Sequence, residues 1–283
     1  MRRLFTLLPL LLGACSPLTA FNGVVPKDRG GSVVARGQAY GAHPRQRLDI
    51  YAPRKLAAGE RLPVIVWFYG GSWNSGEKGG YAFAGRALAA RGFVVAIPDY
   101  RLVPEVRYPA FLEDGAAAVR WVRANIARHG GDPERIVLAG HSAGAYNAAM
   151  LALDPRWLGA DRAAVKGLVG LAGPYDFLPL DVASTQAAFG QVTDLPSTQP
   201  VSFASAGDPP ALLVAGANDT LVRPRQTTAL AGRLQAAGVT AETRLYAGVG
   251  HIGVMTALSR PFRGKAPVLE DVSAFAHRVT EER

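Results

Sequence analysis

Two hydrophobic patterns follow one another along the chain. Val33 to Tyr40 and Gln46 to Tyr51 alternate apolar and polar residues across a His43-Pro44 turn, the pattern of an antiparallel edge pair. From Pro63 onward the pattern changes. Val64 to Phe68, Phe93 to Ile97, Ile136 to Ala139, Val165 to Leu171 and Ala211 to Ala215 are continuous apolar runs, as strands buried on both faces require, and Glu242 to Tyr246 is a further strand. Helical segments lie between and after them: Ala82 to Ala90, ended at Gly92; Ala110 to Arg128, with Val119, Val122 and Ile126 at apolar spacing, closed by Gly130-Gly131; Ala145 to Leu153; Pro224 to Ala237, ended at Gly238; and Pro267 to Val279. Buried strands alternating with helices predict an α/β fold, a mostly parallel central sheet with helices on both faces and an antiparallel N-terminal edge. In such sheets sites form at the carboxyl ends of the strands. Tyr175 to Asp208, rich in Pro, Ser, Thr and Gln, follows neither period and fits a small cap over the site or a plain surface loop.

Composition bounds this picture without changing it. A chain of 283 residues could form one large α/β domain or two small ones, and 49% apolar against 19% charged residues is ample for a core. The formal charge is +9, from 31 Lys and Arg against 22 Asp and Glu, but there is no basic run or aromatic-basic alternation. A solvated surface, or one lying against anionic lipid, is therefore expected, and no nucleic-acid partner. With one cysteine no intrachain disulfide can form. Its position is more informative: Met1-Arg2-Arg3 and the apolar run Leu4 to Leu12 have the layout of a secretory signal, too short for a transmembrane helix.

Leu12-Gly13-Ala14-Cys15 resembles the lipobox of bacterial lipoproteins, in which cleavage precedes a cysteine that is then lipidated. The expected organisation is a signal peptide over 1–14, a tether from the lipidated Cys15 to 32, and a domain over 33–283. The protein is then an exported lipoprotein facing the periplasm or cell exterior, with its anchor in the membrane; an ordinary cleaved signal is the alternative, and export follows either way. Oligomeric state is left open.

Chemistry concentrates where one buried strand meets one helix. Gly140-His141-Ser142-Ala143-Gly144 is a G-x-S-x-G turn between the strand Ile136 to Ala139 and the helix Ala145 to Leu153, the setting of a nucleophile elbow, in which a serine hydroxyl stands clear at a sharp turn. A serine is a weak nucleophile and needs a base, itself oriented by a carboxylate. Of the five histidines, His43 sits in the early turn, His129 ends a long helix, His141 lies inside the elbow and His277 sits in the terminal helix. His251 remains, in a Gly-rich loop after the strand ending at Tyr246. For the acid, Asp219 follows the strand Ala211 to Ala215 and gives the chain order Ser, Asp, His. A capping or turn role, which Asn218 could equally serve, is its alternative reading. Asp208 precedes that strand and belongs at the opposite end of the sheet, and Asp176 is the remaining rival. Acyl transfer also needs N–H donors where negative charge develops. Phe68-Tyr69-Gly70-Gly71-Ser72-Trp73, after the strand Val64 to Phe68, supplies Gly71 and Ser72, with Ala143 as a further oxyanion donor. Tyr69, Trp73 and Tyr146 are expected at the substrate cleft, with core packing an equal reading for Trp73.

With these motifs placed, the chain resembles the esterase/lipase branch of the α/β-hydrolase superfamily that includes hormone-sensitive-lipase-like and feruloyl-esterase-like carboxylesterases. The resemblance rests on Tyr69-Gly-Gly-Ser-Trp73, Pro98-Asp-Tyr-Arg-Leu-Val-Pro-Glu105, Gly130 to Gly144, Gly173-Pro-Tyr-Asp-Phe177, Gly216-Ala-Asn-Asp219 and Gly250-His251. It implies hydrolysis of small-molecule acyl esters through a serine-bound intermediate, with no metal and no cofactor. Within enzymes the alternatives are an amide or formamide hydrolase of arylformamidase type, or a carbohydrate acetyl or feruloyl esterase. The family usually carries His-Gly-Gly-Gly where this chain has Tyr69-Gly70-Gly71-Ser72. That departure favours a different reading, an inactive binding lipoprotein that keeps the fold. In the family the Asp99-Tyr100-Arg101 segment is a structural turn.

Overall fold

A computed structural model describes residues 17–57 and 59–281. The expected signal segment and Cys15 lie outside the described residues. In chain order the elements are α1 (Pro17–Val24), β1 (Gly31–Ala39), β2 (Arg47–Pro53), β3 (Leu62–Phe68), α2 (Ala82–Ala89), β4 (Val94–Pro98), α3 (Ala110–Asn125), β5 (Gly131–His141), α4 (Ala143–Leu153), α5 (Pro155–Leu158), β6 (Val165–Leu171), α6 (Ala183–Phe189), β7 (Ala211–Gly216), α7 (Arg225–Ala236), β8 (Ala241–Tyr246), α8 (His251–Thr256) and α9 (Val268–Thr280).

The strands form one eight-stranded sheet in the order β1-β2-β4-β3-β5-β6-β7-β8. β2 pairs antiparallel with both β1 and β4, and every other pair is parallel. The expected antiparallel edge on a parallel sheet is therefore present. Parallel neighbours need crossovers, and the helices supply them. α2 and α9 pack together over one face, while α3 and α4 pack together over the other. The central strands carry continuous apolar runs where both faces are covered; Val64 to Phe68 and Ile136 to Ala139 have no exposed surface.

Register brings the chemistry to one rim. Phe68 at the end of β3 lies beside Gly140 of β5, His141 beside Leu171 of β6, and Gly216 of β7 beside Tyr246 of β8. The loops that follow these strands thus emerge together.

Two segments differ from a reading by period alone. The tether expected over 15–32 is, over its described first part, the helix α1, whose Leu18 and Phe21 pack against the core. Phe21 meets Phe83 edge-on at 5.3 Å between ring centroids, and the Asn22 side chain accepts from the Phe83 amide at 3.0 Å and donates to the Gly79 carbonyl at 2.9 Å. The spacing of Leu18 and Phe21 is helical, but a segment this short shows too few turns to establish a period. The Tyr175 to Asp208 segment holds α6 and two 3-10 turns, and Phe189 at the end of α6 is fully buried between Trp73, Phe111 and Tyr146. Of its two readings, the cap is the one the structure takes.

Candidate active site

The elbow is built by close approach of backbone. Ser142 sits between β5 and α4 with φ 55° and ψ −126°, a conformation that is strained for a residue with a side chain. A Cβ on Gly140 would lie 2.4 Å from the Gly144 carbonyl carbon, and a Cβ on Gly144 would lie 2.1 Å from the Phe68 carbonyl oxygen. Both positions therefore admit only glycine. The turn is pinned by the Ser142 amide donating to the Leu171 carbonyl at 2.9 Å.

From this turn the Ser142 hydroxyl reaches His251 Nε2 at 3.0 Å, and His251 Nδ1 meets Asp219 Oδ2 at 2.8 Å. The other carboxylate oxygen, Oδ1, accepts the amides of Leu221 and Val222, each at 2.9 Å. Asp219 thus serves both readings given to it, as turn residue and as partner of the imidazole. A carboxylate only accepts, so Nδ1 carries the ring proton and Nε2 presents its lone pair to the serine. Asn218 stitches the two loops together: its side chain accepts from the Gly248 amide at 3.0 Å and its own amide donates to the Val249 carbonyl at 2.9 Å. The rival residues stand elsewhere. Asp208 pairs with Arg162, His43 with Glu105 at 2.7 Å, and His277 donates to the Arg91 carbonyl at 2.8 Å. Asp176 meets the Gln226 side chain through its backbone.

The loop after β3 takes three successive left-handed residues, Gly71 at φ 133°, Ser72 at 50° and Trp73 at 59°. Its base is held by tyrosines. The Tyr69 hydroxyl accepts from Arg45 at 2.7 Å, its carbonyl accepts from the Tyr100 hydroxyl at 2.7 Å, and its ring is stacked between Tyr81 and Tyr100 at 5.9 and 4.7 Å. Arg45 also donates to the Gly76 carbonyl at 2.9 Å, so the far end of the loop is tied to the same guanidinium. Tyr69 is therefore a buried brace and does not line the cleft. Tyr146 is likewise fully buried, with its hydroxyl donated to the Thr198 carbonyl at 2.8 Å, and is also removed from the cleft. Trp73 is only 2% exposed and donates from Nε1 to Asn147 at 3.2 Å, while its edge contributes to the pocket wall. Both readings of Trp73 hold. The Asp99-Tyr100-Arg101 turn is structural: Asp99 accepts the Lys78 amide at 2.7 Å, and Arg101 pairs with buried Asp114 at 2.8 Å.

A pocket of about 320 Å³ opens above Ser142, walled by Ser72, Trp73, Phe177, Leu178, Pro179 and Leu221. The wall from the cap could not be assigned from the sequence, because Phe177 and Leu178 stand in a segment without periodicity. Among the described residues no group of His, Cys, Asp or Glu side chains is arranged to hold a metal ion.

Comparison with known proteins gives the family and the fold. A family model described as BD-FAE matches residues 48–234. A probable isoprenylcysteine alpha-carbonyl methylesterase of Oryza sativa subsp. japonica is 31% identical over 272 residues, covering 87% of this chain and 63% of that protein. Esterase LipC of Mycobacterium tuberculosis is 31% identical over 220 residues, covering 70% of this chain and 54% of that protein. The chain therefore spans less than two thirds of the length of these relatives. Among solved structures, a truncated carbohydrate esterase from gut microbiota superposes with a TM-score of 0.78 at 22% identity, covering 91% of this chain and 100% of that one.

Proposed function

The chain belongs to the BD-FAE family of the α/β-hydrolase superfamily, and from that premise we propose that it is a serine carboxylesterase acting through an acyl-enzyme. The observation that carries this reading is the hydrogen-bonded row of Ser142, His251 and Asp219 at 3.0 and 2.8 Å. Ser142 Oγ attacks the ester carbonyl as its proton passes to His251 Nε2, and Asp219 holds Nδ1–H and stabilises the imidazolium. Negative charge on the carbonyl oxygen is met by the amides of Gly71, Ser72 and Ala143, which make no other hydrogen bond among the described residues. His251 then returns its proton to the leaving alkoxide. A water, deprotonated by the same nitrogen, releases the acid and restores Ser142.

The relatives' names carry ester hydrolysis over to this chain, and the small, partly apolar pocket suits esters with a compact acyl group. A fluorophosphonate probe tests the reading directly. The wild type is expected to take one probe per chain on Ser142 and to hydrolyse p-nitrophenyl acetate, and Ser142→Ala to do neither; an unlabelled wild type would return the reading to a binding protein that keeps the fold.

The same proposal places the enzyme outside the cytoplasm, held at the membrane through lipid on Cys15; the signal layout of Met1 to Leu12 and the run Leu12 to Cys15 support it. Cys15→Ser is expected to move the activity from the membrane fraction to the soluble one, and activity that stays with the membrane would remove the lipid anchor.

A further inference from the structure

Of the histidines that the reaction leaves unused, His141 lies beside the nucleophile. It is buried, 2% exposed, one residue before the nucleophile, with its ring 4.8 Å from that of His251. Its Nε2 lies 3.1 Å from the main-chain carbonyl of His251, and its Nδ1 lies 3.5 Å from the Tyr81 hydroxyl. That hydroxyl accepts the amide of Gly70 at 3.0 Å. The directions of these bonds follow from what each group can do. A carbonyl only accepts, so Nε2 carries the proton. Nδ1 is then a bare acceptor for the Tyr81 O–H, and the Tyr81 oxygen is free to take the Gly70 N–H. One ordered chain results, from the loop that precedes the oxyanion amides, through Tyr81 and His141, to the backbone of the base.

We propose that His141 is a positioning residue of the ester hydrolysis described above, holding the backbone of His251 and, through Tyr81, the Gly70 end of the oxyanion loop in one fixed relation to Ser142. The role requires a neutral imidazole. A proton on Nδ1 would face a Tyr81 oxygen that already takes the Gly70 amide, and would leave the Tyr81 O–H without an acceptor. It would also set a cation beside His251, which must itself become positive when Ser142 attacks. Burial acts in the same direction, pushing His141 down to about 3, with the neighbouring His251 adding to the effect.

The proposal rests on the esterase reading, and two measurements keep the two apart. Kinetics on p-nitrophenyl acetate compares His141→Leu, which removes both ring nitrogens, with His141→Gln, whose side-chain N–H can still reach the His251 carbonyl. Misplacing a catalytic group by a fraction of its reach costs up to about 100-fold in rate. His141→Leu is therefore expected to lose about 10- to 100-fold in kcat with KM within about twofold, and His141→Gln to recover most of that loss. Tyr81→Phe should lose less, and adding it to His141→Leu should cost little more, because both break one chain. A folded His141→Leu with wild-type kcat, or equal losses in the Leu and Gln variants, would overturn the proposal. Independently of turnover, long-range ¹H–¹⁵N spectra of the wild type should show His141 as the neutral Nε2–H tautomer from pH 8 to pH 5. An Nδ1–H tautomer, or titration in that range, would overturn it even in a fully active enzyme. A wild type that neither turns over ester nor takes the fluorophosphonate would instead sink the esterase reading on which the proposal stands.

Discussion

The carboxylate of Asp219 divides its two oxygens between two tasks, and this makes one substitution unusually informative. Oδ1 holds the Leu221 and Val222 amides and Oδ2 holds His251 Nδ1. In Asp219→Asn the amide oxygen can keep the two backbone N–H groups, so the loop survives. The new NH₂ then faces Nδ1 and selects the tautomer with its proton on Nε2, where it opposes Ser142. By analogy with the same change in other Ser-His-Asp sites, kcat should fall by about 10⁴ with KM little changed and the melting temperature near that of the wild type. Asp219→Ala should be as inactive and also less stable, because it leaves two loop amides without an acceptor; steady-state kinetics paired with thermal melts separates the two. The three residues of this row were legible in the sequence because each follows a strand at its carboxyl end, buried β5 and β7 for Ser142 and Asp219 and edge strand β8 for His251, a placement that depends on chain order. The brace beneath them was not. Arg45, Tyr81 and Tyr100 reach Tyr69 and Gly70 across separations of 11 to 31 residues, and no local pattern marks such bonds.

Among the elements, the cap has the clearest consequence for substrate binding. α6 is short, and Phe189 at its end seats it by meeting Trp73 at 4.9 Å and Tyr146 at 5.4 Å. Trp73 and Phe177, both in contact with Phe189, are walls of the pocket. Truncating a fully buried phenylalanine costs about 3–5 kcal/mol. Phe189→Ala should therefore lower the unfolding free energy by about that amount, and KM should rise more than kcat falls, because Ser142 and His251 do not touch the ring. Denaturant melts and steady-state kinetics check the two halves. The elements that the hydrophobic pattern located are those long enough to repeat: the parallel strands and helices α2, α3, α4, α7 and α9 lie within a few residues of their expected bounds, except that β5 begins at Gly131, ahead of the apolar run from Ile136. α1, α5, α6 and α8 are four to eight residues long and were not seen, since so few turns give no period and their packing partners lie elsewhere in the chain.

For the molecule as a whole, the buried imidazole of His141 ties catalytic geometry to stability against acid. Its value in the folded chain is about 3, against 6.5 for an unperturbed histidine. Between those values the unfolded chain binds a proton that the folded one refuses. Stability from this residue is therefore fully present above about pH 6.5 and is lost as pH falls toward 3. With about 1.4 kcal/mol per pH unit, the loss is roughly 2 kcal/mol by pH 5 and grows with further acid. Asp208, whose carboxyl is raised by burial, works in the opposite sense, gaining stability as it is protonated. Meanwhile a chain with formal charge +9 becomes more positive and repels itself more. A single pH profile mixes all three, so the comparison must be with a protein that lacks only the imidazole. In His141→Gln the Asp208 and net-charge effects remain while the His141 proton does not. Urea midpoints between pH 7 and pH 5 should therefore fall further in the wild type than in His141→Gln, by a difference equivalent to roughly 2 kcal/mol. Parallel slopes would mean that His141 is protonated in the folded chain as readily as in the unfolded one, which the donor to the His251 carbonyl and the acceptor for Tyr81 do not allow at the same time.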